Sequence, residues 1–148
     1  MEMATEVQLV CFDIAGSRLA VWGRDVVEVL RMVALQPLGE KNDALLGAIN
    51  RRGQVVTVFD LRRALRLPPS RPKVTDLLVI LDTPEGHCAI AVDAVTDIAA
   101  VGLDQTKPRD RLPGLGKHVA EVVTLRDQMM SVLDVQWLLR QGDGIVAP

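Results

Sequence analysis

The chain contains no tyrosine, and two phenylalanines and two tryptophans bring its aromatic share to only 3%. Its interior must therefore be aliphatic, and a surface that stacks nucleic-acid bases on aromatic rings has almost no material. Only two cysteines occur, Cys11 and Cys88, each inside an apolar alternating segment. Two thiols supply neither a disulfide framework nor a metal site on their own, so both read as buried and reduced. His87 and His118 stand far apart, with no second ligand three or four positions away, and metal binding has no support. An excess of either charge is also missing. The 17 basic and 19 acidic residues leave a formal charge of −2, which gives no global field for nucleic acid. No apolar run approaches the roughly eighteen residues of a membrane span. The start, Met-Glu-Met-Ala-Thr-Glu, lacks the basic and apolar regions of a signal peptide. The expectation is a cytoplasmic protein without direct membrane insertion.

What is present is enough for a globular body. With 148 residues, 49% of them hydrophobic, the chain makes one domain or two small interlocked ones. A chain of this size buries roughly 68–70% of its unfolded surface.

The dominant internal signal is a repeat. The segment from Gln54 to Arg66 aligns without a gap with Gln128 to Arg140, 74 residues on, and five of the thirteen positions are identical. Upstream, Asp13, Ala20, Val26 and Glu28 match Asp82, Ala89, Val95 and Asp97 at a shift of 69. The difference places five extra residues in the second half, around Asp104 to Lys117. Two related halves, 7–67 and 76–141, joined by a stiff linker at 68–72 that carries Pro68, Pro69 and Pro72, suggest a pseudo-two-fold pair of modules.

Within the first half, Val7–Asp13 and Arg18–Trp22 read as strands around an Ile-Ala-Gly-Ser turn. Asp25 to Glu28 reads as one helical turn running into a strand toward Met32. Pro37 and Gly39 break the chain, and 42–46 is expected to form another helical turn. Gln54–Phe59 is β-branched and reads as a buried strand, after which Asp60 N-caps a short helix. The second half repeats this order with strands over 76–82, 88–93, 95–101, 119–125 and 128–133. A helix from Asp134 to Arg140 ends it, before a frayed Gln-Gly-Asp-Gly tail. Many short strands with regular turns predict an all-β fold of small barrels or a sandwich.

Only the first half contains Gly47-Ala-Ile-Asn50-Arg51-Arg52-Gly53, where the second reads Glu121-Val-Val-Thr-Leu-Arg126-Asp127. Two glycines six residues apart bracket backbone that turns sharply or admits a close neighbour. Asn50 suits local backbone groups. Arg52 either needs a carboxylate, with Glu28 as the partner, or sits solvated at a turn. Arg126 reads as a simple turn residue. Val26, Val29 and Leu30 fit either a core or an exposed groove.

Catalysis finds no foothold. No Asp-Thr-Gly or Asp-Ser-Gly follows an apolar strand, and Asp60 and Asp134 are explained by helix capping. A thiol in a strand lacks the helix N-terminus that would activate it. The arginines at 51, 52, 62, 63, 66 and 71 raise the alternative of a nucleic-acid module, but most fall on the polar face of a helix.

Taken in order, these fragments resemble the CheW-like family, the coupling proteins of bacterial chemotaxis arrays. Gly47 through Leu61 carries most of the likeness. Ala91-Val-Asp93-Ala-Val95-Thr-Asp97, Leu-Pro-Gly114-Leu-Gly116 and Leu133-Asp134 support it. The resemblance implies two intertwined five-stranded SH3-like β-barrels with a few short helices, no catalytic residues and no cofactor. It implies a scaffold between a methyl-accepting chemoreceptor and the regulatory domain of a CheA-type histidine kinase, at membrane-receptor arrays. CheW-like domains also serve arrays controlling pili or gene expression. The resemblance moves Val26 toward a receptor groove that would include Val29, Leu30, Gly47, Asn50 and Gly53, with Glu28 and Arg52 as a structural ion pair. Arg51 and Thr57 depart from the family pattern, which has an apolar residue and a proline there.

Overall fold

A computed structural model describes residues 6–38 and 43–143. The break expected at Gly39, the first position of the helical turn expected over 42–46, and Gly144 of the tail lie outside the described residues. The first half forms β1 (Glu6–Ile14), β2 (Ser17–Trp22), β3 (Val26–Arg31), β4 (Leu45–Arg51), β5 (Gln54–Phe59) and a one-turn helix α1 (Leu61–Ala64). The second forms β6 (Leu77–Thr83), β7 (Gly86–Val92), β8 (Ala94–Gly102), β9 (Thr106–Pro108), β10 (Val119–Leu125), β11 (Gln128–Leu133) and α2 (Val135–Asp143).

These strands build two sheets, ordered β8-β1-β2-β11-β10-β9 and β3-β6-β7-β5-β4. Shifting the first-half strands by the repeat offsets turns one order into the other, with β9 as the added strand. Each sheet therefore takes a hairpin from one half and its remaining strands, four in the six-stranded sheet and three in the other, from the other half. The two curl into SH3-like barrels that share the chain, here called A (six strands) and B (five strands). The expected second five-stranded sheet gains its sixth strand from the stretch that holds the five extra residues. The proline-rich linker does not keep the halves apart, because both barrels draw on both halves.

The hydrophobic pattern explains the exchange. On β1, Leu9 and Cys11 face the interior of barrel A, while Val10, Phe12 and Ile14 join a central cluster between the barrels. On β6, Leu78 and Ile80 fill barrel B, while Val79 and Leu81 face the same central cluster. Strand side chains alternate, so a hairpin buried on both faces must be apolar at nearly every position. Val-Cys-Phe and Leu-Leu-Val-Ile-Leu are such runs. The two hairpins pack back to back through Phe12, Ile14, Val79, Leu81 and Ile90, and Leu61 of α1 and Leu138 of α2 cover the ends of that layer. Among the described residues, no polar or charged residue is fully buried.

Three hairpins close with two-residue turns whose residues both take positive φ: Ala15-Gly16, Arg52-Gly53 and Arg126-Asp127. That geometry matches the right-handed twist of the flanking strands. The bulges repeat as well. Pairing slips between Val26 and Glu28, and again opposite Cys11 and Phe12, where the partners are Asp97 and Val95. It slips between Leu45 and Gly47 and between Val119 and Glu121. Both helices begin on an aspartate. Asp60 Oδ1 accepts from the Arg63 amide at 3.2 Å, and Asp134 Oδ1 from the Trp137 amide at 3.1 Å. Over the described part of the helical turn expected at 42–46, the chain forms a turn at Asp43-Ala44 and then starts β4. α2 runs to Asp143, past the expected end at Arg140.

The polar links reinforce the exchange. Arg62 of α1 reaches Asp93 of the second half at 2.8 and 3.1 Å and the Pro68 carbonyl at 2.9 Å. Asp93 also accepts the Ala15 amide from the β1–β2 turn at 2.8 Å. Arg62, expected on a solvated helix face, is thus a link between the halves. Fragments 1–72 and 73–148, produced separately, should each fail to give a cooperatively folding monomer, and mixing them should restore one sharp unfolding transition. A monomeric 1–72 fragment that melts cooperatively, followed by circular dichroism, would show that the shared sheets are not needed.

Candidate functional site

The distinctive glycine-bracketed segment forms the β4–β5 hairpin at one end of barrel B. Its two glycines do different jobs. Gly47 sits at the bulge with φ 149°, and a side-chain carbon added there would lie 2.7 Å from the Gln36 carbonyl oxygen and 3.2 Å from Leu35 Cβ. The chain leaving β3 crosses at this point and pairs with β4, with Gln36 N to Ala48 O at 2.8 Å and Ala48 N to Gln36 O at 2.9 Å. The close neighbour that Gly47 admits is therefore the protein's own backbone. Gly53, at φ 83°, has open space within 4 Å of where a Cβ would stand, and serves the turn alone. Asn50 Oδ1 accepts the Gly53 amide at 2.9 Å and ties the turn shut.

Glu28 closes the barrel. Its neighbour Val26 pairs with Leu81 on the side of the central cluster, and the bulge then sets Glu28 opposite Ile80, on the barrel interior side. Along β4, Ile49 points inward opposite Val56, and Arg51, two residues on, shares that side. The guanidinium of Arg51 meets Glu28 edge-on, Nε to Oε1 at 3.0 Å and Nη2 to Oε2 at 2.9 Å. Since β3 and β4 are the two outer strands of this sheet, the pair joins its edges and caps the interior. Hydrogen bonding from Arg51 holds the Glu28 carboxyl below its ordinary value of 4.5.

The expected partner, Arg52, lies 3.9 Å from Glu28 with its side chain 80% exposed, against 12% for Arg51. The reason is register. Arg52 is the first residue of the turn, at φ 52°, so its side chain leaves the barrel, whereas Arg51 is still in the strand. Barrel A repeats the arrangement with the repeat-related residues: Asp97 pairs with Arg126 at the β10–β11 turn. Arg126, expected as a plain turn residue, is thus an ion-pair member, and the offset linking Glu28 to Asp97 was the signal for it. Where barrel B has Gly47 beneath the crossing chain, barrel A has Glu121, which accepts the Trp22 indole N–H at 2.9 Å.

The apolar candidates separate. Val26 is half-buried against the central cluster, and Leu30, opposite Leu78, packs in the interior of barrel B. Val29, opposite Val79, is 38% exposed at the margin of the barrel. Val55 beside the turn is exposed too. Residues missed from sequence are the repeat-related pair Ile98 and Met129, which are exposed at the positions of Val29 and Val55.

A cavity of about 380 Å³ between β5, the β6–β7 hairpin and α2 is lined by Thr57, His87, Cys88 and Leu139. Burial pushes the Cys88 thiol up to about 11, so it is protonated at neutral pH and a poor nucleophile. Among the described residues, no three His, Cys, Asp or Glu side chains come together as a metal site. Of the arginines that raised a nucleic-acid reading, Arg51, Arg62 and Arg63 each pair with a carboxylate.

Residues 8–143 match the CheW-like domain. The chain belongs to the CheW-like family. Within that family it is similar to a probable chemotaxis protein CheW of Rhizobium etli, 22% identical, with 95% of this chain and 92% of the relative aligned. It is 31% identical to the protein FrzA of Myxococcus xanthus over 78% of this chain and 69% of FrzA. The crystal structure of the scaffolding protein TtCheW from Thermoanaerobacter tengcongensis has the same fold, with a TM-score of 0.81, 20% identity and coverage of 90% and 92%. The β4–β5 hairpin of this CheW-like chain carries Gly47, Asn50, Arg51 and Gly53.

Two substitution experiments follow. Gly47→Ala should destabilise the fold by roughly 1–3 kcal/mol for the strained backbone, with the clash against Gln36 added, and Gly53→Ala should cost less. Glu28→Gln and Arg51→Leu should be strongly non-additive in denaturant unfolding, while Arg52→Asn leaves the midpoint nearly unchanged. Because the folded Glu28 titrates below 4.5, the contribution of its pair is complete above that pH. It is lost as pH falls through the folded value. Glu28→Gln should remove this acid-side slope. Equal slopes in both proteins would show that the pair does not bear on stability.

Proposed function

We propose that this CheW-like protein is a non-catalytic adaptor that couples the cytoplasmic tip of a methyl-accepting chemoreceptor to the regulatory domain of a CheA-type histidine kinase. One observation carries the reading: a body of two barrels exposes the same two apolar positions on each, Val29 with Val55 and Ile98 with Met129. Surface valines and methionines are ordinary singly, but repetition at matched positions gives two like faces on one body. The names of its relatives, a chemotaxis CheW and a scaffolding CheW, support the same role.

In this reading the receptor tip, an elongated helical partner, lies along the margin formed by Val26 and Val29 and by the turn at Asn50 and Gly53. Its apolar stripe is buried in the helix-in-groove manner. Leu30 and Gly47 support that margin from inside. The kinase domain, a relative of the same fold, meets a barrel end with one of its own. Each contact is weak alone, and array assembly multiplies it through effective concentration. The protein then works in the cytoplasm against membrane receptors. No helix among the described residues is long and apolar enough to cross a membrane.

Val29 is the residue to test, because it is exposed and a polar replacement leaves the cores intact. Val29→Asn should weaken binding to the isolated receptor tip about tenfold, roughly the free energy of one lost apolar side chain, while binding to the isolated kinase domain stays within twofold. Titration calorimetry with both partners decides it. Equal loss for the two partners would point to a single shared site, and no binding by the unaltered protein would remove the adaptor reading.

A further inference from the structure

The linker between the halves takes no part in the packing of either barrel. Every residue from Pro68 to Thr75 is exposed, and none of them belongs to a hydrophobic cluster. Its ends are held: Arg62 Nη1 donates to the Pro68 carbonyl at 2.9 Å, and the Lys73 amide donates to Asp76 Oδ2 at 2.8 Å. Between those holds, the hydrogen bonding of Pro69 to Pro72 is confined to Ser70 Oγ on the Arg71 carbonyl at 3.2 Å. The chain runs from Leu67 to Lys73 without a turn or a bend. Three prolines keep it extended, at about 3.1 Å per residue, so Pro68 and Lys73 stand roughly 15 Å apart.

Everything else that joins the halves is indifferent to the linker. β1 and β2 lie between β8 and β11, and β6 and β7 between β3 and β5. Those ladders, the central layer and the Arg62–Asp93 pair need one first half and one second half, and any copy of the chain can supply either. We infer that the straight linker alone keeps the exchange within one chain, and that a second copy of this chain is the partner each half accepts when the linker cannot span. Two chains then close around each other as a dimer of two complete bodies, each built from one chain's first half and the other's second. Only the linker changes its path, so neither body gives up a packing contact. In the unaltered chain the linker presents a half with its own partner at an effective concentration in the millimolar range, which favours the monomer in dilute solution. The dimer would carry every barrel surface twice.

Deleting Pro69 to Pro72 joins Pro68 directly to Lys73, and adjacent residues reach only about 3.8 Å. The shortened chain, refolded at micromolar concentration, should be a dimer by light scattering, with the circular dichroism of the unaltered monomer. Two further variants of the shortened chain separate exchange from side-by-side docking. Arg62→Asp and Asp93→Arg each set like charges together, whereas a mixed exchanged dimer restores the opposite pair in both of its bodies. Refolding the two variants together should therefore raise the melting midpoint several degrees above that of either alone. A mixture no more stable than its components overturns the exchange, and so does a shortened chain that folds as a monomer. If the shortened chain does not fold, the unaltered protein carries the test. Refolded near millimolar concentration, it should give a dimer that micromolar refolding does not. No dimer at either concentration, or a dimer at both, overturns the role of the linker.

Discussion

Two β-hairpins that are apolar on both faces set the terms for everything else in this protein. Neither can be satisfied by a single sheet with a wet side. Each becomes the floor of one barrel with one face and presses against its counterpart with the other. The central layer of Phe12, Ile14, Val79, Leu81 and Ile90 is what the two barrels have in common. A substitution in that layer touches the packing of both barrels at once.

The edges are handled differently from the floors. A sheet of five strands leaves two outer strands with unpaired backbone groups, a surface that invites unwanted pairing. Here a carboxylate on one edge strand meets an arginine of the far hairpin in both barrels, and in barrel B that hairpin holds the other edge strand. In barrel B the chain also crosses over Gly47, so the glycine is a structural requirement before it is anything else. The conspicuous sequence motif is thus mostly an account of how the barrel shuts. What remains for recognition is the part of the hairpin facing outward.

Much of the fold was legible because duplication leaves two readings of every element. The offset of 74 aligns β4 with β10 and β5 with β11 without a gap. Even so β4 was not expected as a strand, although its partner over 119–125 was. Both strands carry the bulge, but Gly47 and the turn before β4 make Leu45 to Arg51 read less like a strand than the valine-rich Val119 to Leu125. The expected Arg52 does pair with Glu28, at 3.9 Å, but the closer contact of Arg51, at 2.9 Å, was missed for a similar reason. Sequence shows two adjacent arginines, and only the length of the turn decides which one is still in the strand. Val29 and Leu30 were grouped by adjacency, whereas strand geometry puts them on opposite sides. The sixth strand could not be read from Thr106 to Pro108, since three residues ending in proline carry no period. Its pairing comes entirely from β10.

The near identity of the two sheet orders has a further meaning for how such a chain can arise. Cut at the linker, each half would hold a hairpin that fits the other half's sheet and would lack the central hairpin of its own. Two copies of an ancestral half would have met as a strand-exchanged homodimer with true two-fold symmetry. Joining them by Pro68–Pro72 turned a second-order association into an intramolecular one, so that folding no longer depended on protein concentration. It also released the two copies from having to stay the same. One could keep a single arginine at its turn, and the other could acquire a second.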